Sequence, residues 1–124
     1  MSSFHSIPKS FGYAWSGLKT ALKNEPNFRV HTVIATAVIV LGVVLSLSRT
    51  EWMIVALIIC WVLVLELVNT AMEAVVNIVS PDIAEGAKQA KDTIAAAVLI
   101  SAIGAVAVGL LLFVPKIVAV LAGL

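Results

Sequence analysis

Glu66, Asn69, Glu73 and Asn77 fall within the segment "LELVNTAMEAVVN", Leu65 to Asn77. On a helix turning about 100° per residue, with Glu66 as zero, they lie near −60°, −20° and +20° in chain order after Glu66. All four therefore share one face. Two carboxylates and two amides can take up a proton, hold a hard cation, or order a polar substrate. Glu66 and Glu73 are separated by about 10 Å along such a helix. This face sits at the end of a long apolar run, "WMIVALIICWVLVL". A carboxylate placed in lipid costs a few kcal/mol or more, so an intramembrane acid marks a functional or paired group.

The rest of the chain explains why lipid is the setting. It has 124 residues, 61% hydrophobic and 12% charged, with a mean hydropathy of +1.11. A soluble domain of this size needs far more polar surface. The formal net charge of +1 argues against a nucleic-acid partner, which calls for a strong basic excess. The lone Cys60 cannot form an intramolecular disulfide and is expected to serve packing. "MSSFHSIPKSFGYAWSGLK" contains no apolar core of a signal peptide, so no cleavable leader is expected.

One domain is expected over residues 1–124, an all-α membrane protein with three transmembrane helices and an N-terminal amphipathic surface helix. Crossing a bilayer core takes roughly 20 helical residues. Spans are expected at about 28–47, 52–79 and 92–114. The second must take Glu66 and Asn69 into the membrane region. Before them, Phe11, Trp15, Leu18 and Leu22 share one face of a helix over about 6–23, suited to lying on the membrane surface. Pro26 should force a turn at "NEPNF". Thr50 is the expected cap of the second span. Ser80, Pro81 and Asp82 should open the third helix, ahead of its entry into lipid. Ala97, Ser101, Ala105 and Gly109 form a small-residue face suited to helix packing.

Basic residues set the orientation. Lys9, Lys19, Lys23, Arg29, Lys88 and Lys91 fall on one side, Arg49 and Lys116 on the other. The first group is expected to be cytoplasmic, and the N-terminus with it. Glu25, Lys91 and Asp92 then approach the same interface as Glu73. Carboxylates with a lysine suit a magnesium–phosphate site, because Mg2+ prefers carboxylate oxygen and fills its shell with water and phosphate. The glycine-rich nucleotide loops are absent from the sequence. These residues by themselves leave three readings open: a phosphotransferase, a small proton-coupled transporter using Glu66, and a membrane subunit whose polar stripe only sets assembly.

The segments "NEPNF", "LELVNTAMEAVVN" and "AKQAKD" followed by "AAAVLI" resemble the small bacterial diacylglycerol kinase family, which includes undecaprenol kinases. The likeness runs from Phe11 to about Lys116, and "TEWMI" and "FVPKI" resemble the undecaprenol kinase branch. The resemblance implies a homotrimer in the bacterial inner membrane, with active sites shared between subunits at the cytoplasmic face. It implies transfer of the γ-phosphate of ATP to a lipid alcohol, undecaprenol or diacylglycerol. Under it, Glu66 is the catalytic base, and Glu25 and Glu73 hold Mg2+ with ATP. Tyr13, Asp82, Lys91 and Asp92 join them as nucleotide contacts. Trp15 and Asn69 join Glu66 in binding the lipid. Ser6 stands where the family often has arginine, Asn77 where aspartate is usual, and "DIAEG" lacks the loop's usual histidine.

Overall fold

A computed structural model describes residues 6–82 and 84–123, so the extremities of the expected domain lie outside it. Four helices follow one another: α1 (Ile7–Asn24), α2 (Pro26–Val44), α3 (Arg49–Val79) and α4 (Glu85–Leu121). No strand occurs among the described residues. α2, α3 and α4 are each long and apolar enough to cross a membrane. At 1.5 Å per residue, α3 is about 46 Å long and α4 about 55 Å, both well beyond a bilayer's roughly 30 Å hydrocarbon core.

The joint between α1 and α2 is shorter than the turn expected at "NEPNF". Glu25 alone leaves helical geometry, at φ −107° and ψ 104°. It must, because the residue before a proline is driven towards extended backbone. Pro26 is then the first residue of α2, where its missing N–H costs nothing. Arg29 reaches back across the joint. Its Nη1 donates to the carbonyls of Leu22 (3.1 Å) and Lys23 (2.7 Å), closing the end of α1 with a cation. Ala21 and Phe28 are buried in this elbow.

α2 ends in a Schellman turn. The amide of Leu47 bonds the carbonyl of Gly42 (3.1 Å), and the amide of Ser46 bonds that of Val43 (3.2 Å). Ser46 takes the left-handed conformation, φ 53°, that this turn requires. Gly42 is buried at the same place. A Cβ there would lie 2.8 Å from Cη2 of Trp52 and 2.9 Å from Cδ1 of Leu47.

Ser48, not Thr50, caps α3. The amide of Glu51 donates to Ser48 Oγ (3.2 Å), and the amide of Ser48 donates to Glu51 Oε2 (2.8 Å). This reciprocal capping box satisfies two N-terminal donors at once, which a lone threonine cap could not. Glu51 also meets Lys116 Nζ of α4 at 3.1 Å.

The turn into α4 likewise differs from expectation. Ser80 terminates α3, and its Oγ donates to the carbonyl of Asp82 at 2.8 Å. With its hydroxyl committed there, Ser80 does not cap the next helix. α4 starts at Glu85, with Ala84 as cap, and runs through Pro115 to Leu121 rather than stopping before the proline. Membrane helices tolerate such a break when neighbouring groups support the backbone.

α2, α3 and α4 run alternately up and down. Glu51 meets Lys116 at one end of the α3–α4 pair, and Asn77 meets Lys91 at the other. The apolar core lies near the α2–α3 turn, where Leu47, Val55 and Phe113 gather with Trp52 and Leu112. Many large apolar side chains face outward, Val33, Leu57 and Leu111 among them. Cys60 is also exposed on the surface of the single chain. The small-residue face of α4 turns inward. Ser101 is buried, and Ala105 and Gly109 line a cavity of about 340 Å³ between α2, α3 and α4.

Candidate active site

α3 carries the polar stripe as one face with graded burial. Glu66 is buried, 3% exposed; Asn69 and Glu73 are half-buried; Asn77 is exposed. The stripe thus leads from the interior of the bundle to the end where α3 meets α4. Asn69 Nδ2 donates to Glu73 Oε1 across one helical turn, at 3.4 Å. Asn69 Oδ1 is buried and accepts from no donor among the described residues.

Glu66 meets a residue that the sequence reading did not use. His31 Nε2 of α2 lies 3.2 Å from Glu66 Oε1. The distance is that of an ion pair, yet Oε1 has no aligned hydrogen bond among the described residues. The two facts agree if the ring nitrogen is close but its N–H is not directed at the oxygen. A clue was present in the sequence: an ionisable side chain early in the first apolar run.

The register of α2 and α3 places Glu25 relative to the stripe. Moving six residues back from His31 to Glu25 rises about 9 Å, and moving seven on from Glu66 to Glu73 rises about 10 Å. With the helices antiparallel, Glu25 and Glu73 stand at a similar height. Glu25 is half-buried in the α1–α2 joint.

Lys91 Nζ donates to Asn77 Oδ1 at 2.6 Å, tying α4 to the end of the stripe. Asp92, expected beside Lys91, pairs instead with Lys88 at 2.6 Å, one helical turn away. Asp82 is exposed in the α3–α4 turn. Tyr13 and Trp15 are exposed on α1. Among the described residues no three His, Cys, Asp or Glu side chains converge as a preformed metal site. Glu25 and Glu73 stand at one height on neighbouring helices, and the buried, unpartnered amide oxygen belongs to Asn69, one turn from Glu73. Two carboxylates suit a hard cation that takes its remaining oxygens from water and phosphate.

The fold and site define a class: an all-helical membrane protein with a buried carboxylate in one span and acids, amides and lysines towards that span's end. Residues 12–113 match the prokaryotic diacylglycerol kinase family. The chain is 43% identical to a diacylglycerol kinase of Synechocystis sp. over 90% of its own length and 65% of the relative's. It is 40% identical to an undecaprenol kinase of Bacillus subtilis, over 88% of this chain and 89% of the relative. It is 34% identical to a diacylglycerol kinase of Escherichia coli, over 85% and 86% of the two chains. The chain thus spans about two thirds of the Synechocystis relative but most of the other two. It belongs to the prokaryotic diacylglycerol kinase family, a family of lipid kinases.

Proposed function

We propose that this protein transfers the γ-phosphate of ATP to the hydroxyl of a membrane lipid alcohol, undecaprenol or diacylglycerol. The observation that carries this reading is Glu66: a buried carboxylate in a membrane-spanning helix, with an oxygen that no hydrogen bond occupies. In the proposed reaction the lipid hydroxyl oxygen forms a bond to the γ-phosphorus, and the bond from that phosphorus to the bridging oxygen breaks. ADP leaves, and Glu66 takes the hydroxyl proton.

Mg2+ bound with the nucleotide supplies neutralisation of phosphate charge. Glu25 and Glu73 would hold it, with Asn69 orienting Glu73. Lys91 would meet phosphate as a point charge; Tyr13, Asp82 and Asp92 are the further nucleotide contacts in this reading, and Trp15 a lipid contact. The stripe's gradient of burial supports the division of labour. Its buried end suits the hydroxyl of a substrate that stays in the bilayer. Its exposed end suits a nucleotide arriving from water. The distribution of basic residues supports a cytoplasmic position for that exposed end and for the N-terminus, in a bacterial inner membrane. α1, with Phe11 and Trp15 exposed, would lie on the membrane surface. A homotrimer with shared sites is part of this reading, and the buried, unpartnered Oδ1 of Asn69 leaves an acceptor for a donor from outside the chain.

The test uses purified protein in detergent micelles with Mg·ATP and, in competition, undecaprenol and diacylglycerol. Formation of a lipid monophosphate is the expected result, and the favoured product assigns the substrate. Failure to phosphorylate either lipid, together with proton flux in vesicles without ATP, would replace this reading by that of a transporter.

A further inference from the structure

We propose that His31 is a positioning residue for Glu66, holding the carboxylate in place while leaving its oxygen open to the lipid hydroxyl. The inference rests on the reading of Glu66 as base. A buried carboxylate is costly unless a charge or donor stands beside it. Glu66 is 3% exposed, and His31 Nε2, at 3.2 Å, is the cation-capable group against its Oε1. His31 is also the one polar side chain among the described residues lining the apolar cavity between α2, α3 and α4. That wall offers the imidazole no competing partner.

The backbone of α2 sets the height of His31. Two residues earlier, Arg29 is anchored on the carbonyls of Leu22 and Lys23, and Phe28 is buried in the elbow. The ring is therefore held on the level of Glu66. Its position restricts the carboxylate, and Oε1 keeps a lone pair for an incoming hydroxyl proton because no aligned bond fills it.

Three substitutions in the full-length protein test this: His31→Leu, His31→Gln and His31→Asn. Glutamine carries an amide N–H close to the position of Nε2; asparagine is too short to reach it. His31→Leu is expected to lower kcat about ten- to a hundredfold, with the KM for Mg·ATP within about twofold of the parent. His31→Gln should recover most of that loss, and His31→Asn should not. Unchanged kcat in His31→Leu, or equal activity of the Gln and Asn variants, overturns the inference. If His31→Leu does not assemble, the Gln–Asn comparison decides alone. Failure of the underlying reading shows elsewhere: a Glu66→Gln protein with near-parental turnover removes Glu66 as base, whatever the His31 series does.

Discussion

Lys91 Nζ on α4 lies 2.6 Å from Asn77 Oδ1 on α3, so the last member of the polar stripe holds the lysine that the proposed reaction brings to phosphate. A neutral amide orients the ammonium without cancelling its charge. Asn77→Leu should raise the KM for Mg·ATP severalfold by releasing Lys91, with a change in stability of about 1 kcal/mol or less, because Asn77 is exposed and Lys91 only half-buried. Asn77→Asp, which keeps an acceptor at the same place, should stay within about threefold of the parent in turnover. Steady-state kinetics in mixed micelles checks both. Equal KM values for the Leu variant and the parent would separate Asn77 from nucleotide binding.

Glu66 and Glu73 share a helix face but should fail in different ways. Glu66→Gln keeps the shape of the side chain and removes the base, so turnover should fall at least about a hundredfold while Mg·ATP still binds. Glu73→Gln should weaken Mg·ATP binding about tenfold or more. Nucleotide titration followed by single-turnover assay distinguishes them. If both variants lose affinity equally, the two carboxylates do not have separate tasks.

Ser46 adopts a left-handed conformation that costs an L-residue about 1 kcal/mol and glycine nothing. Ser46→Gly keeps both hydrogen bonds of the turn. Allowing for glycine's greater entropy loss on folding, it should stabilise the protein by about 0.5 kcal/mol. Thermal unfolding in detergent measures this, with activity unaltered because the turn lies at the far end of the bundle from the stripe. A lower midpoint would mean that the serine has a compensating role.

Gly42 packs under Trp52 and Leu47 with no room for a methyl group. Gly42→Ala should destabilise by about 1–3 kcal/mol, since overpacking must displace an indole or a helix-terminating leucine. The same thermal measurement decides, and an unchanged midpoint would show that the Trp52 ring swings aside freely.

The three spans and the polar face were legible because each rests on a long signal: apolar runs, and four polar residues within twelve positions on one side of a helix. The ends were less so, because they depend on competition between neighbouring caps. Thr50 carried a good cap side chain, yet the Ser48–Glu51 spacing forms two bonds and wins. Ser80 and Asp82 resembled a helix start, but they bond each other within the turn. The third span was expected at about 92–114, and α4 runs on through Pro115 to Leu121. The exposed pair of Asp92 with Lys88 follows from their spacing of four on a helix. His31 escaped notice because it lies well away from Glu66 in sequence. Only the antiparallel register of α2 and α3 brings the two together.

The single extended residue between α1 and α2 gives α1 mechanical leverage. Glu25 has helix on both sides and no slack to absorb movement. α1 is an arm of 18 residues, about 27 Å long, and Arg29 clamps its inner end. Any rocking of that arm turns the backbone at Glu25. In the proposed reading, with α1 on the membrane surface, the depth of that helix and the direction in which Glu25 presents its carboxylate are thus a single coordinate.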